Sequence, residues 1–171
     1  NDLWKSLVND ERAPLINKSI AGMYSPGSTF KMVVLLAALE KGVINADHKI
    51  HCNGEYKLGN ATFHCWKRHG HGSVDAKEAI AQSCDVYFYE IAKRTGIDRI
   101  AAMAKKFGFD APTGVDLPGE RGGLMPTRDW KRMKHDEPWH QGETVISGIG
   151  QGFILTTPLQ LALMTSRIAN G

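Results

Sequence analysis

In "SPGSTFK", residues 25–31, Ser28 stands three places before Lys31, just ahead of the apolar run "MVVLLAAL". Residues three apart on a helix share a face, so this amine can reach this hydroxyl. A helix starting near Ser28 would add N–H groups with no partner inside the helix and a partial positive charge, a field that favours a developing oxyanion. A lysine in its amine form could then take the serine proton and leave an acylating nucleophile. The same residues also allow a plainer reading, with Ser28 capping the helix and Lys31 stretching its stem to solvent. A second element, "SCD" at 83–85, falls at a break between two helical stretches. There Ser83 could relay a proton and Asp85 could hold a substrate amide. Alternatively, Asp85 only caps the next helix and Ser83 is a turn residue.

A third group lies between these two. Cys52, Cys65 and Cys84 are the chain's three cysteines, and His69 and His71 fall among them. Twelve residues separate Cys52 from Cys65, five separate Cys65 from His71, and twelve separate His71 from Cys84. That is not a zinc-finger spacing. Its chemistry still suits zinc, because three thiolates and an imidazole complete a tetrahedron with no open position, which is a structural site. One disulfide with a free thiol, or three buried thiols packed as small hydrophobes, would use the same residues differently.

The elements that must position these groups are partly legible. From Ser28 to Lys41 the apolar residues cover most of a helical circumference, which predicts a central core helix with Pro26 near its start and Gly42 at its stop. Residues 48–66 alternate in short stretches around Asn-Gly and Gly-Asn pairs, the pattern of a small hairpin or irregular excursion. A glycine–histidine loop, "KRHGHGSVD", follows. Asp75 opens a helix with Glu78 in capping-box register, and the helix resumes after "QSCD" to end at Gly96. "IDRIAAMAKKFG" predicts another amphipathic helix, and residues 108–127, rich in Gly and Pro, an extended surface segment. A last helix begins with Thr157 as cap, Pro158 in the first turn and Gln160 in capping-box position. The 171 residues suit one domain or part of one. The net charge of +3 is spread without a Lys/Arg block, which argues against nucleic acid as a partner. The longest strongly apolar run has eight residues, where a membrane-spanning helix needs about 20.

Taken together, the motifs resemble one family. "GMYSPGSTFK" is similar to the first motif of the penicillin-recognising serine acyltransferases, and "SCD" to their second, usually S-x-N. "GIGQG" (148–152) followed by "TPLQLA" (157–162) resembles the class B high-molecular-weight penicillin-binding proteins. The likeness continues in order through "PLINKSIAG", "GHG", "SCDVYFYEIA", "GIDRI", "FGF", "TGVDLPGE" and "MPTRDWK". Asp85 agrees with the aspartate-type second motif of the branch that serves cell elongation. The resemblance implies an α+β fold, an antiparallel sheet flanked by helices beside a mostly helical subdomain. Residues 1–171 would supply mainly the helical subdomain, as a partial transpeptidase domain with the irregular β excursion at about 48–66.

It also implies a D,D-transpeptidase that cross-links peptidoglycan stem peptides through an acyl-enzyme and is inhibited by β-lactam antibiotics. In that scheme Ser28 is the nucleophile and Lys31 the general base. Ser83 shuttles the proton to the leaving amine, and Asp85 orients Lys31, Ser83 or substrate. A structural zinc site near the active site is implied on Cys52, Cys65, His71 and Cys84, with His69 the rival of His71. The implied setting is the periplasmic face of the bacterial inner membrane, beside a polytopic glycan polymerase. Ser25 stands where the family usually has proline, a small change in a tight turn. The family's third motif, K-T-G or a close variant, is absent from these residues and is expected beyond Gly171. The chain therefore reads as a piece of a longer protein that carries the nucleophile side of the site. Two other readings use the same residues: a β-lactamase or antibiotic-sensor relative, and a zinc-stabilised folding module without activity of its own.

Overall fold

A computed structural model describes residues 2–171. Helices α1 (Asp2–Val8) and α2 (Lys18–Ala21) precede a 3-10 turn, Gly27–Phe30, that runs directly into α3 (Lys31–Glu40). Four short strands follow: β1 (Ile50–Cys52), β2 (Glu55–Leu58), β3 (Ala61–His64) and β4 (Gly72–Val74). The rest is helical: α4 (Ala76–Ala81), α5 (Asp85–Thr95), α6 (Ile97–Lys106), α7 (Arg128–His135), α8 (Gln141–Ser147) and α9 (Pro158–Asn170). The expected helix from Ser28 to Lys41 is therefore two pieces, a tight turn carrying Ser28 and an α-helix that begins at Lys31.

The core forms around α3 and α5. Phe30, Val33, Val34, Ala37 and Ala38 of the first segment are buried against α5 and α6. Helix α5 buries Val86, Tyr87, Phe88, Ile91 and Ala92, and packs on α8 as well as on α3. Its first residue, Asp85, is thereby brought beside the first residue of α3. Burial of the larger side chains, such as Phe30, Phe88 and Ile91, contributes roughly 1.5–3 kcal/mol each, so the helix pair is a firm base for a site at its ends.

The β excursion comprises two small antiparallel pairs. β2 and β3 form the expected hairpin, whereas β1 pairs with β4 and sets Cys52 opposite Gly72. Strand β4 lies in the segment read above as a loop. Three residues beginning with a glycine carry little strand signal of their own, and pairing with β1 supplies the order. Gly70 is needed here: at φ +75° a Cβ would stand 2.0 Å from the Cys52 carbonyl oxygen.

Local signals at the helix ends agree with the structure. Asp75 and Glu78 form a reciprocal capping box, Gly96 closes α5, and Thr157, Pro158 and Gln160 start α9 as expected. Gln160 does more than cap. Fully buried, its Nε2 donates to the carbonyls of Ala111 (2.9 Å) and Gly122 (2.7 Å). The irregular 108–127 segment is thus fastened to the core from beneath, with Phe109 and Met125 buried under it. Helices α7 and α8 were not anticipated. α7 buries only Lys131, so "RDWKRMKH" presents no apolar stripe, and α8 has only seven residues.

Candidate active site

Ser28 occupies the 3-10 turn and its side chain is exposed, while Lys31, one turn on, is 2% exposed. The turn is gripped by the "GIGQG" loop: Gly27 N donates to the Gly150 carbonyl at 3.0 Å. Gly150, at φ +70°, lies so close that a Cβ would sit 2.2 Å from the Gly27 carbonyl oxygen. Lys31 Nζ points inward and donates to Asp85 Oδ1 (2.6 Å), Ser83 Oγ (2.9 Å) and the Ser83 carbonyl (2.9 Å). It also lies 5.5 Å from the centre of the Phe88 ring. Ser83 Oγ in turn donates to Ser28 Oγ at 3.0 Å. The amine therefore meets the nucleophile through Ser83 and not directly as the three-residue spacing suggested. The Asp85 carboxylate draws it toward α5.

The turn that presents Ser83 has a specific construction. The Ser83 N–H bonds to the Ile80 carbonyl and the Cys84 N–H to the Ala79 carbonyl, the paired bonds that close a helix on a left-handed residue. Ser83 takes that conformation, φ +51°, which an L-residue adopts only at a cost. Cys84, not Asp85, is the N-cap of α5, and it makes no capping hydrogen bond with its side chain. The Asp85 carboxylate serves other partners: Oδ1 takes Lys31, and Oδ2 accepts the backbone N–H of Trp66 at 2.9 Å. With the lysine buried and the aspartate nearly so, the pair is shielded from solvent, and removing either partner would strand a charge.

Above this chain of polar groups opens a cleft of about 630 Å³, lined among others by Ser28, Trp66, Ser83, Asp85, Tyr89 and Gln151. Its floor adjoins the cysteines. Cys52, Cys65 and Cys84 are all buried and unbridged, and their sulfurs lie with a ring nitrogen of His71 within 4.8 Å of one another. His71 Nδ1 is 3.6 Å from both Cys52 Sγ and Cys65 Sγ. A tetrahedral zinc with its usual bond lengths needs an S···N edge of about 3.6 Å, the separation of His71 Nδ1 from these two sulfurs. Burial, with Lys67 nearby, pushes the His71 pKa down and favours the neutral imidazole. Burial also raises the Cys84 thiol to about 12, so deprotonating it at neutral pH takes a neighbouring cation. His69 is exposed and stands outside the group.

A helix-rich subdomain bearing a serine, a lysine and a serine–aspartate turn in one cleft is a specific arrangement, and it has relatives. Residues 4–171 match the model of the penicillin binding protein transpeptidase domain. The chain belongs to that family. It is 41% identical over 169 residues to peptidoglycan D,D-transpeptidase MrdA of Haemophilus influenzae, covering 98% of this chain and 26% of that protein. Its fold superposes on Pseudomonas aeruginosa PBP2 with a TM-score of 0.94 at 42% identity, covering 99% of this chain and 37% of the other. A structure on the coordination of polymerization and crosslinking by a peptidoglycan synthase complex matches with a TM-score of 0.90 at 36% identity, covering 99% and 29%. The chain thus spans about a quarter of the length of the curated relative. The α+β penicillin-binding fold and the family resemblance expected from the motifs are what the structure and these relatives show.

Within the family fold, the four polar residues singled out from sequence lie in one hydrogen-bonded chain, and the four metal-ligand candidates lie in one cluster. Trp66 and Gly150 were missed. Gly150 was visible only as part of a motif. Trp66 has no signal in the sequence beyond standing next to Cys65, and a lone tryptophan says nothing of the loop 16–19 residues away that it contacts.

Proposed function

We propose that the protein is a serine D,D-transpeptidase of peptidoglycan, in which this chain supplies the nucleophile and its proton relay. The observation that carries the reading is the continuous path Ser28 Oγ–Ser83 Oγ–Lys31 Nζ–Asp85 Oδ1, with steps of 3.0, 2.9 and 2.6 Å, at the base of an open cleft. With Lys31 in its amine form, Ser28 passes its proton to Ser83 as Ser83 passes its own to Lys31. Ser28 Oγ then attacks the carbonyl of the penultimate D-alanine of a stem peptide. Asp85 holds the ammonium so formed, and the proton passes back from Lys31 through Ser83 to the departing D-alanine amine. The amino group of a second stem peptide attacks the ester, its surplus proton passes through Ser83 to Ser28 Oγ as the ester bond breaks, and the cross-link forms with Ser28 freed. β-Lactams acylate the same oxygen, which accords with the family's name.

Zinc is the metal whose chemistry suits Cys52, Cys65, His71 and Cys84, and when bound it supplies a cross-link and no chemical step. Those residues fasten the β1–β4 excursion to the turn of Ser83 and Asp85. The setting that goes with this activity is the periplasmic face of the inner membrane, next to a polytopic glycan polymerase, a pairing in keeping with the synthase-complex relative. Among the described residues no helix is long and apolar enough to cross a membrane.

The test is intact-mass spectrometry of the full-length protein with penicillin G, followed by peptide mapping. One stable adduct on Ser28, lost in Ser28→Ala, is expected. An adduct on another residue, or rapid turnover of the antibiotic, would overturn the reading, the latter in favour of a β-lactamase.

A further inference from the structure

We propose that Trp66 is a positioning residue that fastens the Ser83–Asp85 turn to the cysteine–histidine cluster. This rests on the acyl-transfer reading above. The indole is 64% exposed, so hydrophobic burial does not account for where it lies. Its polar contacts do. The backbone N–H donates to Asp85 Oδ2 at 2.9 Å, and indole Nε1 donates to the carbonyls of Gln82 (3.1 Å) and Ser83 (3.0 Å). The ring meets His71 edge-on, with centroids 5.4 Å apart and planes at 66°. The preceding residue, Cys65, belongs to the cluster itself.

Two donors thus converge on the Ser83 carbonyl, Lys31 Nζ at 2.9 Å and Trp66 Nε1 at 3.0 Å. Ser83 sits at φ +51°, a conformation that surrounding contacts must impose. With the indole bond gone, that carbonyl keeps one donor and the aim of Ser83 Oγ toward Ser28 relaxes. The position of the indole is set in turn by Cys65 behind it and His71 beside it. Drawing the cluster together through a metal tightens the strap, and loosening the cluster slackens it. Trp66 is thereby a mechanical link between a structural centre and the proton relay.

Trp66→Phe in the full-length protein removes the indole N–H and keeps an aromatic ring and the backbone N–H. Two measurements decide. First, penicillin G kinetics, resolved into pre-covalent affinity and acylation rate constant, should show the rate constant falling about tenfold, the scale of one lost hydrogen bond, with affinity little changed. Second, hydrogen–deuterium exchange should quicken across residues 82–86 but not in α6. Chelation should quicken the same segment in the wild type and add little in the variant. Unchanged rate and exchange in Trp66→Phe would overturn the proposal, as would a loss confined to affinity, which would make the indole a ligand contact. Chelation without effect on residues 82–86 would remove the link to the cluster. If wild-type Ser28 forms no adduct, the acyl-transfer reading falls, and exchange alone still decides whether Trp66 holds the turn.

Discussion

Ser83 is a serine in a place that suits glycine. Its left-handed backbone closes α4 with two hydrogen bonds, while its hydroxyl bridges Lys31 and Ser28. Conformational ease and chemistry oppose each other at this residue, and two substitutions separate them. Ser83→Gly and Ser83→Ala both delete the hydroxyl and should both abolish acylation of Ser28. Glycine also relieves the backbone, so Ser83→Gly should be more stable than Ser83→Ala by about 1 kcal/mol, a difference of about 2–4 °C in melting temperature by calorimetry. Equal stability would mean that the turn carries no strain. At this scale the sequence exposes what is local. Ser28 and Lys31 are one turn apart, and their spacing alone announces a shared face. That Lys31 turns instead to Asp85, 54 residues on, needed the packing of α3 against α5.

Three of the helices were legible from the chemistry of their ends. Asp75 with Glu78, Gly96, and Thr157 with Pro158 and Gln160 each satisfy terminal backbone groups through neighbours in sequence, so the residue types suffice. Helices α7 and α8 carry caps as well, Thr127 Oγ1 accepting from Trp130 N and Glu143 from His140 N, but α7 has no apolar stripe, and their main supports lie apart in the chain: Lys131 pairs with Glu143, Trp130 meets Phe153, and α8 packs on α5. Helix α5 shows how an element is tied to the excursion beside it. Glu90 accepts from Tyr56 Oη on β2 at 2.7 Å and from Arg94 Nε at 2.6 Å. Burial alone would raise its carboxyl, but these two hydrogen bonds outweigh burial and hold the pKa below its ordinary 4.5. A lowered carboxyl stabilises the fold above its unfolded pKa and loses that contribution as pH falls through the folded value. Glu90→Gln should therefore be less stable than the wild type at neutral pH, with the gap closing below pH 4.5 in denaturant titrations. A gap independent of pH would show that the carboxylate charge contributes nothing. Tyr56 is pushed up, by burial first and by Glu90 next, and stays protonated throughout that window.

At the scale of the whole molecule, the helical core and the excursion meet at the cysteine cluster. On the proposal that this cluster holds zinc, a strong chelator should lower the melting temperature by about 5–10 °C, the effect of losing a ligand held well above its dissociation constant. The helical circular dichroism should persist, because Phe30, Phe88, Ile91 and Ile100 pack without the metal. A melting curve unmoved by chelation would mean that packing alone holds Cys84 and its neighbours. The sequence by itself determined the capped ends of α4, α5 and α9, the hairpin and the family, because caps, turns and motifs act between residues close in the chain. The tertiary structure decided which groups touch. The route from Lys31 to Ser28 through Ser83, the place of His71 rather than His69 beside the cysteines, the pairing of β1 with β4 and the reach of Trp66 to Ser83 all depend on contacts between segments apart in the chain, and the packing of α3 on α5 makes the first of them.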